Sequence, residues 1–395
     1  MHETTGHQQD APAARTGNRF DRLEWAGAFG DLGTLIPFVV AYVSLLRIDP
    51  YGMLLAFGIA KIAAGLIWRT PFPVQPMKAI GTVATAQTAQ TLVVTQGAVY
   101  GAGLVTGAVW LVLGLTGATK WAARLISRPV AAGIITGLGL SFMLEGLRMM
   151  AQNWWLGGVA LLLTWLLLAS RVVPVMFLLL LGGAAVALVR DPGLAARIAQ
   201  AGMHLRLPAF APAQMSWHEL VVGTLFLALP QLPLTLGNAI IAITEENNRL
   251  FPDRPVSEKK VAISTGVMNL LGPLIGGVPM CHGAGGMAGH VRFGARTGGS
   301  LIILGVLVLL VALLFSDSAL LIFQLFPPPV LGVILFMTGA QLALGAQGES
   351  LGGMDGKSER FVVLVTAGAA LWNVGLACVL GVAAYHLIRR GWLKI

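Results

Sequence analysis

An all-α polytopic membrane protein made of two inverted halves is the fold class this sequence predicts, and three observations carry it. Of 395 residues, 56% are hydrophobic and only 11% are charged, unlike any soluble domain. Apolar runs of the roughly 20 residues needed to cross a bilayer recur from Trp25 almost to the C-terminus. Two of these runs, opening at Pro73 and Pro279, are interrupted by polar and helix-breaking residues and lie in corresponding places, the pattern of a transporter's binding site.

The spans follow in order along the chain. The first half reads 25–46, 50–68, a broken segment 73–95, then 98–118, 129–147, 154–170 and 172–189. The second reads 218–244, 259–277, a broken segment 279–294, then 299–315, 318–345, 361–374 and 376–390. Around them, residues 1–20 are polar and read as a disordered cytoplasmic tail with no signal peptide. Residues 21–190 form the first seven-span repeat, 191–216 a polar, Pro-rich extracytoplasmic linker, and 217–395 the second repeat.

An offset of 200 aligns Gly30-Asp31-Leu32 with Pro230-Gln231-Leu232, and Arg128-Pro129-Val130 with Pro328-Pro329-Val330; the broken segments align at 206. Seven is odd, so a duplicated half enters the membrane from the opposite side. The charges agree with that parity. Alternating from a cytoplasmic N-terminus, the outer loops carry only Arg47, Arg148, Arg190, Arg197 and Arg206, while the other loop and tail lysines and arginines fall inside. The net charge of +9 therefore orients the chain in a cell (inner) membrane with both termini cytoplasmic, and no nucleic-acid partner is implied. Tryptophans at span ends (Trp25, Trp68, Trp121, Trp154, Trp155, Trp217, Trp392) read as an interfacial belt.

The broken segments carry the chemistry. Pro73, Pro76, Pro279 and the glycines 283, 285 and 286 prevent continuous helix across the outer half of each segment. A helix can then start near the midplane, and its first N–H groups and positive dipole end make an anion site. Gln75 and His282 stand at the presumed helix starts. His282 titrates near neutrality in the free state and is a candidate for lining the site and coupling protons; Cys281 reads as either a packed small residue or a ligand contact.

Lys78 lies deep in the first segment, where a charge costs about 2.5–3.5 kcal/mol on insertion scales and so calls for a partner. It either completes a dianion site or forms an ion pair with Asp31 or Glu245. Lys61, on the second span, reads as snorkelling or paired. Asp31 either relays a proton or neutralises Lys78. Gln231, Thr235 and Asn238, at spacings of four and three, share a helix face and suit either oxyanion oxygens or interhelical hydrogen bonds. Glu245 to Asn248 reads as a solvated span end. No phosphate-binding Gly-rich loop, metal cluster or nucleophile–base pair is legible, so an enzyme, an ATP-driven pump and a bound cofactor are not expected.

Pro73-Val74-Gln75-Pro76-Met77-Lys78-Ala79-Ile80 and Val278-Pro279-Met280-Cys281-His282-Gly283-Ala284-Gly285-Gly286-Met287-Ala288, the latter continuing into Arg292-Phe293-Gly294-Ala295-Arg296-Thr297-Gly298, resemble the molybdate-transporter branch of the sulfate permease superfamily. Gln231-Leu232-Pro233-Leu234-Thr235 with Asn238 resembles that family's eighth span, and the likeness covers about residues 25–390. It implies seven-plus-seven inverted repeats, with spans 1–4 and 8–11 in a core that moves against a gate of spans 5–7 and 12–14. It also implies a homodimer and, as in the molybdate branch, no regulatory domain after the last span. The expected function is secondary active import of molybdate between spans 1, 3, 8 and 10, with a general oxyanion carrier or an anion channel as alternatives. The expected substrate-binding residues are Gln75, Pro76, Met77, Lys78, Gln231, Thr235, Asn238, Cys281, His282, Gly283, Ala284 and Gly285, with Asp31 and His282 as coupling residues.

Overall fold

Proline and glycine punctuate the apolar sequence where the helices of the structure begin, bend and stop. The computed structural model describes residues 17–78, 80, 94–119, 127–168, 175–205, 215–345, 355–372 and 374–394. Most of the expected tail, the far end of the first broken segment, Trp121 and part of the linker lie outside these residues.

In the first half, α1 (Arg22–Ala28) runs through a tight turn at Phe29–Asp31 into α2 (Leu32–Leu46), followed by α3 (Pro50–Trp68). Asp21 and Asp49 cap α1 and α3 by accepting backbone N–H bonds, and Pro50 supplies the fixed φ of a first helical residue. Strand β1 (Gln75–Pro76) precedes α4 (Gln96–Thr116), α5 (Arg128–Ala151), α6 (Trp154–Leu167) and α7 (Val175–Arg190). The linker contains α8 (Leu194–Gln200), turned 96° from α7.

The second half opens with α9 (Trp217–Val222), α10 (Leu229–Leu234) and α11 (Ile243–Leu250), joined into one rod by π-helical turns at Gly223–Ala228 and Thr235–Ala242. Pro230 and Pro233 remove two amide donors there, and the widened pitch is how a helix absorbs such losses. Then come α12 (Glu258–Leu271), β2 (Met280–Cys281), α13 (Ala284–Arg292), α14 (Gly299–Phe315), α15 (Ala319–Phe323), α16 (Pro328–Gly345), α17 (Gly356–Trp372) and α18 (Val374–Arg389). The span expected at 318–345 is thus two helices, because the run Pro327-Pro328-Pro329 cannot continue α15. Among the described residues, Arg22–Ser44, Pro50–Trp68, Gln96–Thr116, Arg128–Ala151 and Gly299–Phe323 are each long and apolar enough to cross a membrane.

The halves interlock by exchange. Helix α3 packs along α14, α4 along α12, and α5 along α16. All three pairs are antiparallel, as the close approaches show: Gly58 meets Gly305 and Gly65 meets Gly298, Gly107 meets Asn269 and Gly114 meets Ile263. In the third pair a Cβ on Gly139 would lie 2.6 Å from the Gly339 carbonyl oxygen, and one on Gly339 would lie 2.4 Å from that of Gly139. These two glycines are 200 residues apart, the offset at which the sequence aligns its two halves. Only residues without a Cβ let helix backbones come this close in lipid.

Trp68, half-buried at the end of α3, stacks its ring on Phe72 with centroids 4.7 Å apart. One expectation at the periphery is corrected. Glu245 is exposed, but the rest of that span end is built in. Asn247 is buried, accepts from Thr70 Oγ1 at 2.8 Å and donates to the Arg254 carbonyl at 2.9 Å. The C-terminal ends of α3 and α11 are thereby tied together. Arg296 spends its guanidinium on the Val291 and Ala295 carbonyls, closing the end of α13.

Candidate functional site

The two broken segments meet. Each has lost the ability to form helix at its prolines, so its backbone groups need partners elsewhere, and each arm supplies them to the other. Strands β1 and β2 pair antiparallel, with Gln75 opposite Cys281 and Pro76 opposite Met280. The Met77 amide extends the ladder to the Pro279 carbonyl at 2.8 Å. Asn269, on α12, clamps the second arm by donating to the Met280 carbonyl at 2.6 Å and accepting from its amide at 2.8 Å.

His282 serves this framework. Its Nδ1 lies 2.8 Å from the Pro73 carbonyl and its Nε2 lies 2.9 Å from Ser264 Oγ, while Phe72 packs edge-on against the ring. Both nitrogens are therefore engaged by the protein. The imidazole bridges the two arms and α12 rather than presenting a free nitrogen to a ligand.

Asp31, at the turn between α1 and α2, anchors a buried polar cluster. Its Oδ1 accepts from Thr34 Oγ1 and from Gln75 Nε2, and its Oδ2 faces Lys61 Nζ at 3.4 Å. Lys61 also donates to the Val74 carbonyl at 2.6 Å, and Gln75 Nε2 reaches Thr34 Oγ1 at 2.7 Å. The partner of Asp31 is thus Lys61, and the pairing weighed between Asp31 and Lys78 is not made. Sequence gave the depth of both lysines but not their direction around the helix. The cluster fixes the Gln75 amide so that its Oε1, buried and without a hydrogen-bond partner among the described residues, points toward Gly283.

Helix α13 begins at Ala284 with Gly283 as its N-cap, so no side chain caps its first amides. Around this start lie further unsatisfied groups. Asn238 Oδ1 is buried and has no hydrogen-bond partner among the described residues, and its Nδ2 would lie 3.7 Å from a Cβ on Gly283. Lys78 Nζ is buried with no hydrogen bond or ion pair among the described residues. It sits 3.8 Å from the centroid of the Phe142 ring. Gln231 accepts from the Ile80 amide at 3.3 Å and donates to Thr235 Oγ1 at 2.9 Å, placing both beside the first arm. Pro76, Met77, Cys281, Ala284 and Gly285 complete the arms at this level and are buried.

A buried ammonium, a helix start and fixed amide side chains thus gather around the two paired arms, groups of the kind whose chemistry suits a small anion. The sequence profile of the family described as "Molybdate transporter of MFS superfamily" matches residues 23–142 and again 223–342, more than half of the chain. The chain belongs to this molybdate transporter family. Both matched stretches are 200 residues apart, so each half of the transporter carries the family's pattern.

A curated relative, molybdate transporter 2 of Arabidopsis thaliana, is 32% identical over 93% of this chain and 87% of its own. Among solved structures, the transmembrane domain of a cyanobacterium bicarbonate transporter, BicA, superposes with a TM-score of 0.54 at 14% identity, covering 92% of this chain and 96% of that one. The murine anion transporter Slc26a9 in its inward-facing state gives a TM-score of 0.58 at 12% identity, over 94% and 69%. At such identities these likenesses show the fold alone: the chain shares the helical membrane fold of these two proteins, and the curated relatives it matches are transporters, not enzymes. Two residues in the transporter's centre carry no signal in the sequence, Thr34 and Phe142, while Lys61, legible there as snorkelling or paired, is paired. Thr34 and Lys61 hold Asp31, and Phe142 covers Lys78; a lone Phe inside an apolar span carries no signal that would single it out.

Proposed function

We propose that this transporter is a secondary active carrier that imports molybdate, bound at the midplane between the β1 and β2 arms. The observation that carries the reading is Lys78: a buried ammonium with no carboxylate or hydrogen-bond partner among the described residues, beside the uncapped start of α13. A buried charge left without a counterion is strongly disfavoured, and a tetrahedral dianion supplies what the site lacks. In this reading Lys78 gives the charge, and the first amides of α13 at Ala284 and Gly285 give oriented donors. The Gln231, Thr235 and Asn238 face gives side-chain hydrogen bonds, and the arms at Gln75, Pro76, Met77, Cys281 and Gly283 give the walls. Asp31 remains the coupling candidate, since it is the carboxylate in contact with the arm through Gln75; His282 holds the scaffold.

The exchange of helices between halves, the antiparallel crossing at Gly139 and Gly339, and the repeated profile match support an inverted repeat in which the arms move as a unit against α5 and α16. Cytoplasmic termini follow from the positive-inside distribution. A homodimer rests on the family resemblance. The deciding experiment is calorimetric titration of purified protein with molybdate, in the presence and absence of sulfate. Binding that excess sulfate barely displaces supports the molybdate reading. Equal competition makes the protein a general oxyanion carrier, and no binding of either removes the site.

A further inference from the structure

Phe142 stands where two attractions for an anion converge. One face of its ring lies 3.8 Å from Lys78 Nζ, measured to the centroid. Its edge abuts the first turn of α13, since a Cβ on Gly285 would lie 2.2 Å from Cε2. The ring thus fills the space between the ammonium and the helix start, the same space that the proposed oxyanion needs. It is also delivered by a different part of the fold. Phe142 is borne on α5, three residues past the Gly139 crossing with α16, and a Cβ on Gly339 would lie 2.9 Å from its Cβ. Lys78 and Gly285 belong to the two paired arms.

A π face attracts a desolvated cation electrostatically, more strongly when water is excluded. The quadrupole of the ring is therefore a weak substitute for a dianion, satisfying Lys78 when nothing else does. Resting on the site reading above, we propose that Phe142 is a displaceable stand-in for the substrate. Its ring closes the empty site by cation–π contact with Lys78, and anion entry requires the ring to withdraw along with α5. Ring and anion compete for one cation, so the apparent affinity for molybdate is reduced by the fraction of molecules in which the ring is seated. This gives α5 a direct report of whether the arms are loaded.

The test separates ring electronics from ring shape. Phe142 is replaced by mono-, di- and trifluorinated phenylalanine, which keep the outline while progressively weakening the π face, and molybdate binding is measured by calorimetry. The affinity is expected to rise stepwise, to about fivefold or more for the trifluoro ring, and Phe142→Leu is expected to bind at least as tightly. Equal affinity across the fluorinated series, or weaker binding in Phe142→Leu, overturns the proposal. Loss of binding in Lys78→Ala with a flat fluorination series leaves the oxyanion site standing and sinks this inference alone. Wild-type protein that binds no molybdate overturns both.

Discussion

Lys61 Nζ lies 3.4 Å from Asp31 Oδ2, and both side chains are fully buried. This contact divides the labour between two intramembrane lysines on neighbouring segments. The cation at residue 61 neutralises the carboxylate that orients Gln75, and the cation at residue 78 is left over. Replacing Lys61 with Met strands a buried carboxylate, which costs about 3–5 kcal/mol for a broken buried pair. The melting temperature of Lys61→Met in detergent is expected to fall sharply, and the double variant Asp31→Asn, Lys61→Met is expected to recover most of it. Equal melting of wild type and Lys61→Met would show that the pair contributes nothing.

Lys78→Ala is expected to behave in the opposite way. It removes a buried charge that has no ion-pair partner among the described residues, so the protein stays monodisperse and melts at or above the wild-type temperature. Molybdate binding, however, should be lost, by about a hundredfold or more for roughly 3 kcal/mol of charge-assisted contact. Calorimetry and thermal melting on the same preparation check both halves of this statement.

Gly283→Ala probes the Gln75 wall. A Cβ there would lie 2.2 Å from Gln75 Oε1, and the amide cannot easily retreat because Asp31 and Thr34 hold its other end. Affinity for molybdate should fall about tenfold. Gln75→Ala should fall similarly, and the double variant should lose little more, because the two changes act on one contact. Additive losses would show that Gly283 and Gln75 act separately.

The crossing of α5 and α16 is a further point of failure. Valine at residue 139 would drive its Cβ to within 2.6 Å of the Gly339 carbonyl oxygen, and overpacking of this kind costs about 1–3 kcal/mol. Gly139→Val is expected to melt earlier and to slow molybdate uptake in proteoliposomes, whereas Gly182→Val, where nothing lies within 4 Å, should do neither.

Much of this arrangement was written locally in the chain. The prolines at 73, 76 and 279 and the glycines at 283, 285 and 286 announce broken segments, and the helices Pro50–Trp68 and Gly299–Phe315 begin and end where hydropathy says. What escaped was direction and pairing. Sequence gives the depth of Lys61 and Lys78 but not which way each points, so the partner of Asp31 could not be named. His282 looked like a titrating site residue because nothing local reveals that Pro73, 209 positions away, accepts its Nδ1. Asn247 looked solvated for the same reason, since Thr70 reaches it across 177 positions. Phe142 carried no signal at all, because its meaning comes from the ammonium beneath it.

The ladder between the two arms also sets how this gene can change. Each arm contributes two strand residues, and successive residues in a strand face opposite ways. An inserted or deleted codon anywhere between Pro73 and Met77, or between Pro279 and Gly283, would shift the pairing by one position and turn every downstream side chain to the other face. Loops of this protein can lengthen freely over generations. These two short stretches can accept substitutions, but their lengths are locked to each other.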